Sequence, residues 1–360
     1  MRSELDRLMA SSPESDPLFR SRFCVGGVSI EIAGDRRADV CLIPPLEPFR
    51  AETAVSDINI QVQWVAKLAE MSGRRVFDSG TTWRLYERGS EFQFDFNAPL
   101  FGEAPYKRLF VDTRFRRASL QMSEESLAVG GYTADPLGYP LDELLIMHRL
   151  TQEKAIELHG AGIVRANVVA NLFVGHSGAG KSTTTRLWTD RENVEVLSDD
   201  RIIVRRDEDP SFVEMPCEAA GRILEHGVLR LRDRSASPVG HSAQDDRAEK
   251  QIPRSSRNDK GKMRMYGTPW HGEAMYASPN SAPLARIFVL EHGHGNVITP
   301  LTPNQAVAEL FARSFVPFHR HEYVDSALVF LEELANAVPV YRYAFEPDQR
   351  AVEKIRNFHD

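Results

Sequence analysis

Hydrophobic and polar residues alternate along much of the N-terminal part of the chain, over residues 1–135. Phe92, Phe94 and Phe96 alternate with polar neighbours, which predicts a strand that buries one face. Arg88-Gly89-Ser90, just before them, has the composition of a hairpin turn that follows another strand. This part of the chain therefore predicts an antiparallel sheet.

Further stretches extend the pattern. Alternation over Leu109–Phe115 resumes after a turn that we expect at Arg116-Arg117. Residues 58–64 alternate in the same way, whereas residues 65–70 have the composition of a short helix. We expect residues 1–138 to form a β-rich N-terminal domain that docks on the rest of the chain or recognises a substrate for it.

The character of the chain changes near residues 130–140. Asp135–Pro140 is rich in turn residues, and Pro140 suits the first turn of a helix, where its missing N–H would have no partner. That helix would carry an apolar face made of Leu141, Leu144, Leu145 and Leu150. Strands and helices then alternate, as in α/β proteins, so residues 139–360 are predicted to form a second domain.

The C-terminal part of the chain is predicted to pack as helix, helix, strand and helix, over 303–313, 322–337, 339–345 and 348–358. Residues 232–262 differ, because Arg, Asp, Ser, Gln and Lys dominate there and few apolar residues could offset the ordering entropy. We expect a mobile insertion. Its composition fits a plain surface loop as well as a lid.

The strongest chemical signal is the glycine-rich loop 175–182, Gly-His-Ser-Gly-Ala-Gly-Lys-Ser. An apolar run at 171–174 precedes it and a helical run at 182–188 follows it, which is the context that a phosphate-binding loop requires. Its glycines permit a compact turn that directs main-chain N–H groups at one point. Lys181 can reach the β- and γ-phosphates, and the Ser182 hydroxyl can ligate Mg²⁺. We expect ATP and Mg²⁺ to bind along Gly175, His176, Ser177, Gly178, Ala179, Gly180, Lys181, Ser182 and Thr183.

Two acidic residues and a histidine are candidates for the chemistry. Asp199 and Asp200 follow a predicted strand at 194–198. Such a pair can divide metal binding and proton acceptance, because consecutive side chains of a strand point to opposite faces. The alternative is a plain turn into the strand at 202–205. His159 precedes the loop on a predicted strand pair, and it could donate to phosphate, hold a carboxylate or be an ordinary hydrogen-bonded histidine.

Weaker candidates follow the double Asp. The block 266–273 combines Gly, aromatic, His and Glu residues, so His271 and Glu273 are candidate site residues, with a structural turn as the alternative. Arg286, inside an apolar strand-like run, could neutralise phosphate charge or lie at the surface near a strand end.

Three pieces together, Leu158-His159-Gly160, the glycine-rich loop and Leu197-Ser198-Asp199-Asp200, resemble the HPr kinase/phosphorylase family. That family is related to the ATP-dependent phosphoenolpyruvate carboxykinases. The resemblance covers about residues 155–205 and implies an α/β P-loop kinase domain that transfers a phosphoryl group to a serine hydroxyl. It implies catalytic roles for His159, Lys181, Asp199 and Asp200, and metal ligation by Ser182, Asp199 and Asp200.

The chain also departs from that family. Residues 1–135 do not resemble the N-terminal domain of the family, and the L-E-x-R-G-x-G signature after the double Asp is absent. The identity of the substrate is therefore not implied by the resemblance. We expect ATP-dependent phosphoryl transfer to a serine of a protein or peptide. The alternatives are a kinase of a small hydroxylated metabolite and a module in which ATP switches partner affinity without transfer.

Composition and charge argue against several other partners and cellular locations. A net charge of −7 argues against a nucleic-acid partner. The lack of an uninterrupted apolar run as long as a bilayer is thick argues against a membrane span. Three scattered cysteines form no metal-spaced pair and no disulfide framework, which indicates a reducing cytoplasm. Whether the chain forms a homo-oligomer is left open.

Overall fold

The computed structural model describes residues 3–10, 19–34, 44–52, 55–70, 73–130, 135–165, 169–189, 191, 193–206 and 263–359. The insertion predicted at 232–262 lies outside the described residues. All the described residues belong to one compact unit. The predicted boundary at residue 138 stays a prediction.

The alternating segments of the first half form one sheet. Within the described residues its eight strands are β1 Phe19–Val25, β2 Val28–Gly34, β3 Ile58–Val65, β4 Arg74–Asp78, β5 Trp83–Arg88, β6 Glu91–Phe96, β7 Lys107–Asp112 and β8 Arg117–Ser123. Their spatial order is β1-β2-β3-β8-β7-β6-β5-β4. Neighbours are antiparallel, except that β3 is parallel to both β2 and β8, so the prediction of an antiparallel sheet is wrong at β3. The hairpin predicted at residues 88–90 joins β5 to β6.

Short helices accompany this sheet: α1 Glu4–Ala10, α2 Glu124–Gly130, α3 Leu141–Leu150, and 3₁₀ turns at Pro44–Phe49 and Pro99–Phe101. Helix α3 is present as predicted, but Pro140 is its N-cap residue and not part of its first turn. Its leucines pack into the core of the first sheet. That core also includes Ile203 and Trp270 from the second half of the chain, so it joins the two halves.

Strand β6 is buried on both faces, so the prediction that it buries one face is wrong. The polar face is covered because its carboxylates have partners. Asp95 accepts hydrogen bonds from the Arg108 guanidinium at 2.6 and 2.8 Å. Glu91 accepts one at 2.9 Å from the main-chain N–H of Leu5 in helix α1. Alternation identified the strand, but it could not show that charged partners and a helix cover its polar side.

Two local predictions near this sheet are also wrong. The turn between β7 and β8 lies at residues 113–116, not at Arg116-Arg117. Asp112 fixes it, because its side chain accepts from the N–H groups of Arg114 and Arg116 at 2.9 and 3.0 Å. Residues 66–70 are not helical. Two of their main-chain oxygens accept hydrogen bonds from distant residues instead of from a following helical turn.

A second sheet carries the rest of the chain. Its strands in the described part are β9 Ala155–Arg165, β10 Val169–Val174, β11 Val194–Ser198, β12 Arg201–Arg206, β13 Met263–Tyr266, β14 Ser281–His292, β15 Val297–Pro300, β16 Ser314–Phe315 and β17 Val340–Phe345. Strands β10, β14 and β17 are parallel neighbours. The other pairs are antiparallel. Pairing closes into a ring through β10, β9, β12, β13, β14 and back to β10.

Helices α4 Lys181–Thr189, α5 Pro303–Phe311, α6 His321–Ala337 and α7 Gln349–Arg356 complete the second half. The order of elements predicted for the C-terminal part of the chain is confirmed. Helix α5 begins with a capping box, in which Thr302 and Gln305 bond each other's main-chain N–H groups. No helix in the described part of the chain is long and apolar enough to span a lipid bilayer.

Strand β9 changes its partners at His159-Gly160. Residues 155–159 pair with β12, whereas residues 160–165 pair with β10. A Cβ on Gly160 would lie 2.9 Å from Leu172 Cδ1 and 3.0 Å from the Phe173 oxygen. A side chain at this position would therefore push β10 away. The glycine-rich loop follows β10, so this close packing helps to position the candidate site.

One histidine in the core makes folding stability depend on pH. His148 stacks on Phe115 at 4.5 Å and contacts His319 at 5.1 Å, between ring centroids. Burial, and then the neighbouring His319, lower the pKa of His148 to about 3. Since the unfolded state takes up this proton near pH ~6.5, His148 stabilises the fold fully above that pH. The contribution is lost progressively as pH falls from about 6.5 towards about 3.

We therefore expect His148→Phe to flatten the acid side of the stability curve. Between pH 6 and 4, the wild type should lose up to ~1.4 kcal/mol more unfolding free energy per pH unit than the variant does. Urea unfolding over a series of pH values measures this difference. His294→Gln, at a fully exposed histidine, is the control and should keep the wild-type slope. Equal slopes for wild type and His148→Phe would contradict the assignment.

Candidate active site

The glycine-rich loop lies between the end of β10 at Val174 and the start of α4 at Lys181, as the motif requires. Gly178 has a φ of 79° and Gly180 a φ of 100°, conformations that L side chains rarely adopt. A Cβ on Gly180 would also lie 2.2 Å from the Phe345 ring at the end of β17. The loop shape thus depends on glycine at these two positions.

Lys181 is bonded to its own loop. Its ammonium donates to the main-chain oxygens of Gly175 and His176 at 3.0 and 3.1 Å. Burial lowers the pKa of Lys181, although the nearby charge of Asp200 acts in the opposite direction. An ammonium that is held by two neutral carbonyl groups keeps its charge available to an anion. Lys181 and Asp200 are also close enough to interact electrostatically.

The remaining loop residues differ in exposure. His176, Ser177 and Gly178 are exposed, whereas Ser182 and Thr183 are half-buried in the first turn of α4. Nε2 of His292 lies 2.8 Å from the Gly178 oxygen and supports the tip of the loop. The tip of the loop is therefore exposed beside the N-terminal end of helix α4, and the N-terminal end of a helix favours anions.

Asp199 holds a loop in place. Its side chain is buried, and its two oxygens accept hydrogen bonds from three main-chain N–H groups, those of Gly272, Ala274 and Tyr276, at 3.0, 2.9 and 3.3 Å. A Cβ on Gly272 would lie 2.9 Å from Asp199 Oδ2, so glycine permits the close approach. A carboxylate offers about four acceptor positions, and three of those on Asp199 are in use.

His271 and Glu273 lie in this same loop, within the block 266–273 that the sequence singled out. Nδ1 of His271 is 3.1 Å from the Gly272 oxygen, and Glu273 is exposed. The structure brings the loop to Asp199 through its main chain. Neither of the two side chains is bonded to Asp199 or Asp200 in the hydrogen bonds that the described residues make.

Asp200 and His159 form a pair beside the glycine-rich loop. Their side chains are each about three-quarters buried, and His159 Nε2 lies 3.0 Å from Asp200 Oδ1. Main-chain hydrogen bonds also hold these residues together. The Gly160 N–H donates to the main-chain oxygen of Asp200, and the Gly175 N–H donates to the main-chain oxygen of His159. Burial raises the pKa of Asp200, but the hydrogen bond from His159 and the charges of Arg201, His159 and Lys181 outweigh it and lower the pKa. Asp200 is therefore ionised at neutral pH.

Sequence reasoning missed Arg201, which contacts Asp200 from the other side. Its guanidinium bonds Asp200 Oδ2 and Glu143 Oε1. A signal was present, since Arg201 follows the double Asp directly and opens an otherwise apolar strand. Glu143 carried no such signal, because an acidic residue in the first turn of a helix is expected from the helix dipole alone.

Arg286 lies away from the glycine-rich loop. It pairs in register with Asn171, three residues before the strand end at Val174. That separation is about 10 Å along a strand. Its guanidinium lies over the Phe358 ring at 5.6 Å. The structure therefore does not bring Arg286 together with the other candidate residues.

The three side chains that the sequence predicts as Mg²⁺ ligands are not equally suited to bind the ion. Among the described residues, no group of three or more His, Cys, Asp or Glu side chains is arranged to hold a metal ion. Mg²⁺ commonly needs only one or two carboxylates, since water and substrate phosphates complete its shell. Ser182, at the start of α4, and Asp200, with an ionised carboxylate, fit that requirement. Asp199 is less suited, because three of its acceptor positions are used within the described part of the chain.

No known family model matches the chain. A search of curated proteins also finds no match. The function proposed below therefore rests on the geometry of the chain's own residues and on the motifs found in its sequence.

We expect Asp199→Asn to destabilise the chain more than Asp200→Asn does. The amide that replaces one oxygen of Asp199 would face main-chain donors and leave at least one of them unpaired, at a cost of about 1–3 kcal/mol. An asparagine at 200 can turn its one oxygen towards Arg201 and its NH₂ group towards His159 Nε2, because a neutral imidazole can accept at that nitrogen in one of its tautomers. Urea unfolding of both variants at neutral pH measures the difference. A destabilisation by Asp200→Asn that equals or exceeds that of Asp199→Asn would show that Asp199 does not anchor the loop.

Proposed function

We propose that the chain is a kinase that transfers the γ-phosphoryl group of ATP to the hydroxyl of a serine in a protein or peptide. One observation carries the proposal: an ionised carboxylate, Asp200, is bonded to His159 and interacts with the lysine of a phosphate-binding loop. A loop alone would support nucleotide binding. A positioned base next to it supports transfer to a hydroxyl.

ATP fits the glycine-rich loop as a substrate. The exposed tip offers main-chain N–H groups, and the start of α4 adds a partial positive charge. Lys181 would exchange the carbonyl oxygens of Gly175 and His176 for phosphate oxygens, which are stronger partners because they are charged. Ser182 would help to hold Mg²⁺, which neutralises charge on the phosphates when it is bound.

Asp199 and Asp200 then have different roles. Asp199 keeps the loop 272–276 at the site through its main-chain hydrogen bonds. Asp200 remains for the chemistry, because its carboxylate is partly exposed and ionised. This division refines the expectation from sequence, in which either acid could be the base.

In the reaction, the serine oxygen forms a bond to the γ-phosphorus, and the bond from that phosphorus to the β,γ-bridging oxygen breaks. The electron pair leaves with ADP, and the hydroxyl proton passes to Asp200. A loose transition state demands little of the base, so a carboxylate with a lowered pKa suffices. Lys181 and the loop N–H groups stabilise charge that develops on the transferred group.

The acceptor class rests on the resemblance of His159, the loop and the double Asp to HPr kinase/phosphorylase. A serine hydroxyl on a protein or peptide is the acceptor that this resemblance implies. Among the described residues, the tip of the loop is exposed and Asp200 is partly exposed, which supports access by such a partner.

We expect Asp200→Asn to abolish transfer without abolishing ATP binding. The chain would be incubated with ATP labelled with ³²P at the γ-position, Mg²⁺ and an extract of the source cells or a peptide pool, and labelled serine would be identified by mass spectrometry. Loss of the base should lower the transfer rate by about 100-fold or more. Glu195→Gln is the matched control: it makes the same chemical change on β11, where the carboxylate bonds Ser278 and Asn280. That control should transfer at nearly the wild-type rate.

Two results would contradict the proposal. Wild-type transfer rates in Asp200→Asn would remove the base from the mechanism. Nucleotide binding by the wild type with no labelled acceptor in any extract or pool would leave an ATP-switched binding module instead.

A further inference from the structure

The guanidinium of Arg201 is the bridge between the candidate base and helix α3. Its Nη1 bonds Asp200 Oδ2 and its Nε bonds Glu143 Oε1. The flat face of the group lies over the Phe315 ring, with Cζ 4.4 Å from the ring centroid. Three sides of the guanidinium are therefore fixed, each by a different element of the fold.

The charges around Arg201 favour this bridge. Glu157, fully buried on β9, lies 3.4 Å from Arg201 Nε. Burial, and then the charge of Glu143, raise the pKa of Glu157, so Glu157 is held towards its neutral form. Burial lowers the pKa of Arg201, but the charge of Glu143 and its hydrogen bond outweigh burial and raise that pKa, so the group stays charged. The positive charge is thus left for Glu143 and Asp200.

We propose that Arg201 is a positioning residue that, together with Glu143, fixes the orientation of the Asp200 carboxylate for the reaction. His159 holds Oδ1 and Arg201 holds Oδ2, so the plane of the carboxylate cannot rotate without breaking one of the two bonds. A base fixed in this way presents its remaining lone pairs in one direction, and orientation of the reacting groups lowers the barrier. The kinetic part of this inference rests on the proposed kinase activity.

The main chain beside Arg201 is fixed as well. The Thr268 hydroxyl donates to the Arg201 oxygen at 2.8 Å. Two residues later, Trp270 Nε1 donates to Asp142 Oδ2 at 2.7 Å, and Asp142 precedes Glu143 in the first turn of α3. The segment 268–270 therefore holds both ends of the bridge at a constant separation. Helix α3 packs in the core of the first sheet, so that sheet supports the orientation of Asp200.

A lysine could not replace Arg201 here. The planar guanidinium has five N–H donors in a fixed fork, which allows Nε and Nη1 to serve two carboxylates at once. An ammonium is a single point of charge, so a lysine at this position could bond Glu143 or Asp200 but not both. We therefore expect that Arg201→Lys does not restore what Arg201→Gln loses.

The test compares Arg201→Gln with Arg205→Gln. Arg205 lies four residues further along β12, about 13 Å away. It forms an ion pair with Glu153 and bonds the Gly26 oxygen at 2.9 Å, so its loss removes a comparable set of contacts. We expect Arg201→Gln to lower kcat for phosphoryl transfer by about 10- to 100-fold, with KM for ATP changed by less than about threefold. Arg205→Gln should change neither by more than about twofold.

A second readout does not depend on kinase activity. The ¹³Cε1–¹H NMR signal of the His159 ring, identified by its loss in His159→Gln, reports how Asp200 holds that ring at neutral pH. Without Arg201 the carboxylate can rotate, so the signal should shift and broaden in Arg201→Gln. It should remain unchanged in Arg205→Gln. Glu143→Gln keeps the shape of the side chain but weakens its bond to Arg201. The His159 signal should therefore change in the same direction as in Arg201→Gln, but by less.

These readouts separate the two possible failures. If the wild type transfers no phosphoryl group, the proposed function fails, and the His159 signal still decides whether Arg201 positions Asp200. An unchanged His159 signal in both Arg201→Gln and Glu143→Gln would overturn the positioning role. Equal loss of kcat in Arg201→Gln and Arg205→Gln would also overturn it, because the effect would then be one of general stability. If Arg201→Gln does not fold, Glu143→Gln and Arg201→Lys carry the same comparison.

Discussion

The candidate site depends on one strand, β9, which changes partners at His159-Gly160. Before this point it pairs with β12, and after it with β10, so the strand that ends in the glycine-rich loop and the turn that carries Asp200 meet there. Three hydrogen bonds join them: Gly175 N–H to the His159 oxygen, Gly160 N–H to the Asp200 oxygen, and the His159 ring to the Asp200 carboxylate. Because Gly160 has no side chain, β10 can approach closely enough for these bonds to form.

Two adjacent carboxylates in this arrangement have different surroundings, and their chemistry follows from that difference. Asp199 is buried against main-chain N–H groups, so its charge organises a loop. Asp200 has two charged or polar side chains as partners, one on each oxygen, and about a quarter of it is exposed. A carboxylate that is ionised, oriented and reachable is suited to accept a proton from a hydroxyl. Neighbouring Lys181 supplies the positive charge that phosphoryl transfer requires.

The local parts of this site could be predicted from sequence, and the distant contacts could not. The loop between β10 and α4 was predictable because its glycines, lysine and flanking elements are contiguous in the chain. His159 and Asp200 were also found, since each ends or interrupts an apolar run. The partner of Arg201, Glu143, is distant in the sequence, so their contact follows from tertiary packing. The same limit explains β6, whose polar face is covered by Arg108 and by helix α1.

The structure of the chain with Mg²⁺ and a non-hydrolysable ATP analogue tests the central claim most directly. We predict that Lys181 Nζ leaves the oxygens of Gly175 and His176 and contacts the β- and γ-phosphates. The Asp200 carboxylate should face the γ-phosphate while Asp199 keeps its bonds to the loop 272–276. A nucleotide bound elsewhere, or a γ-phosphate approached by Asp199 after release of that loop, would contradict the proposed division of roles.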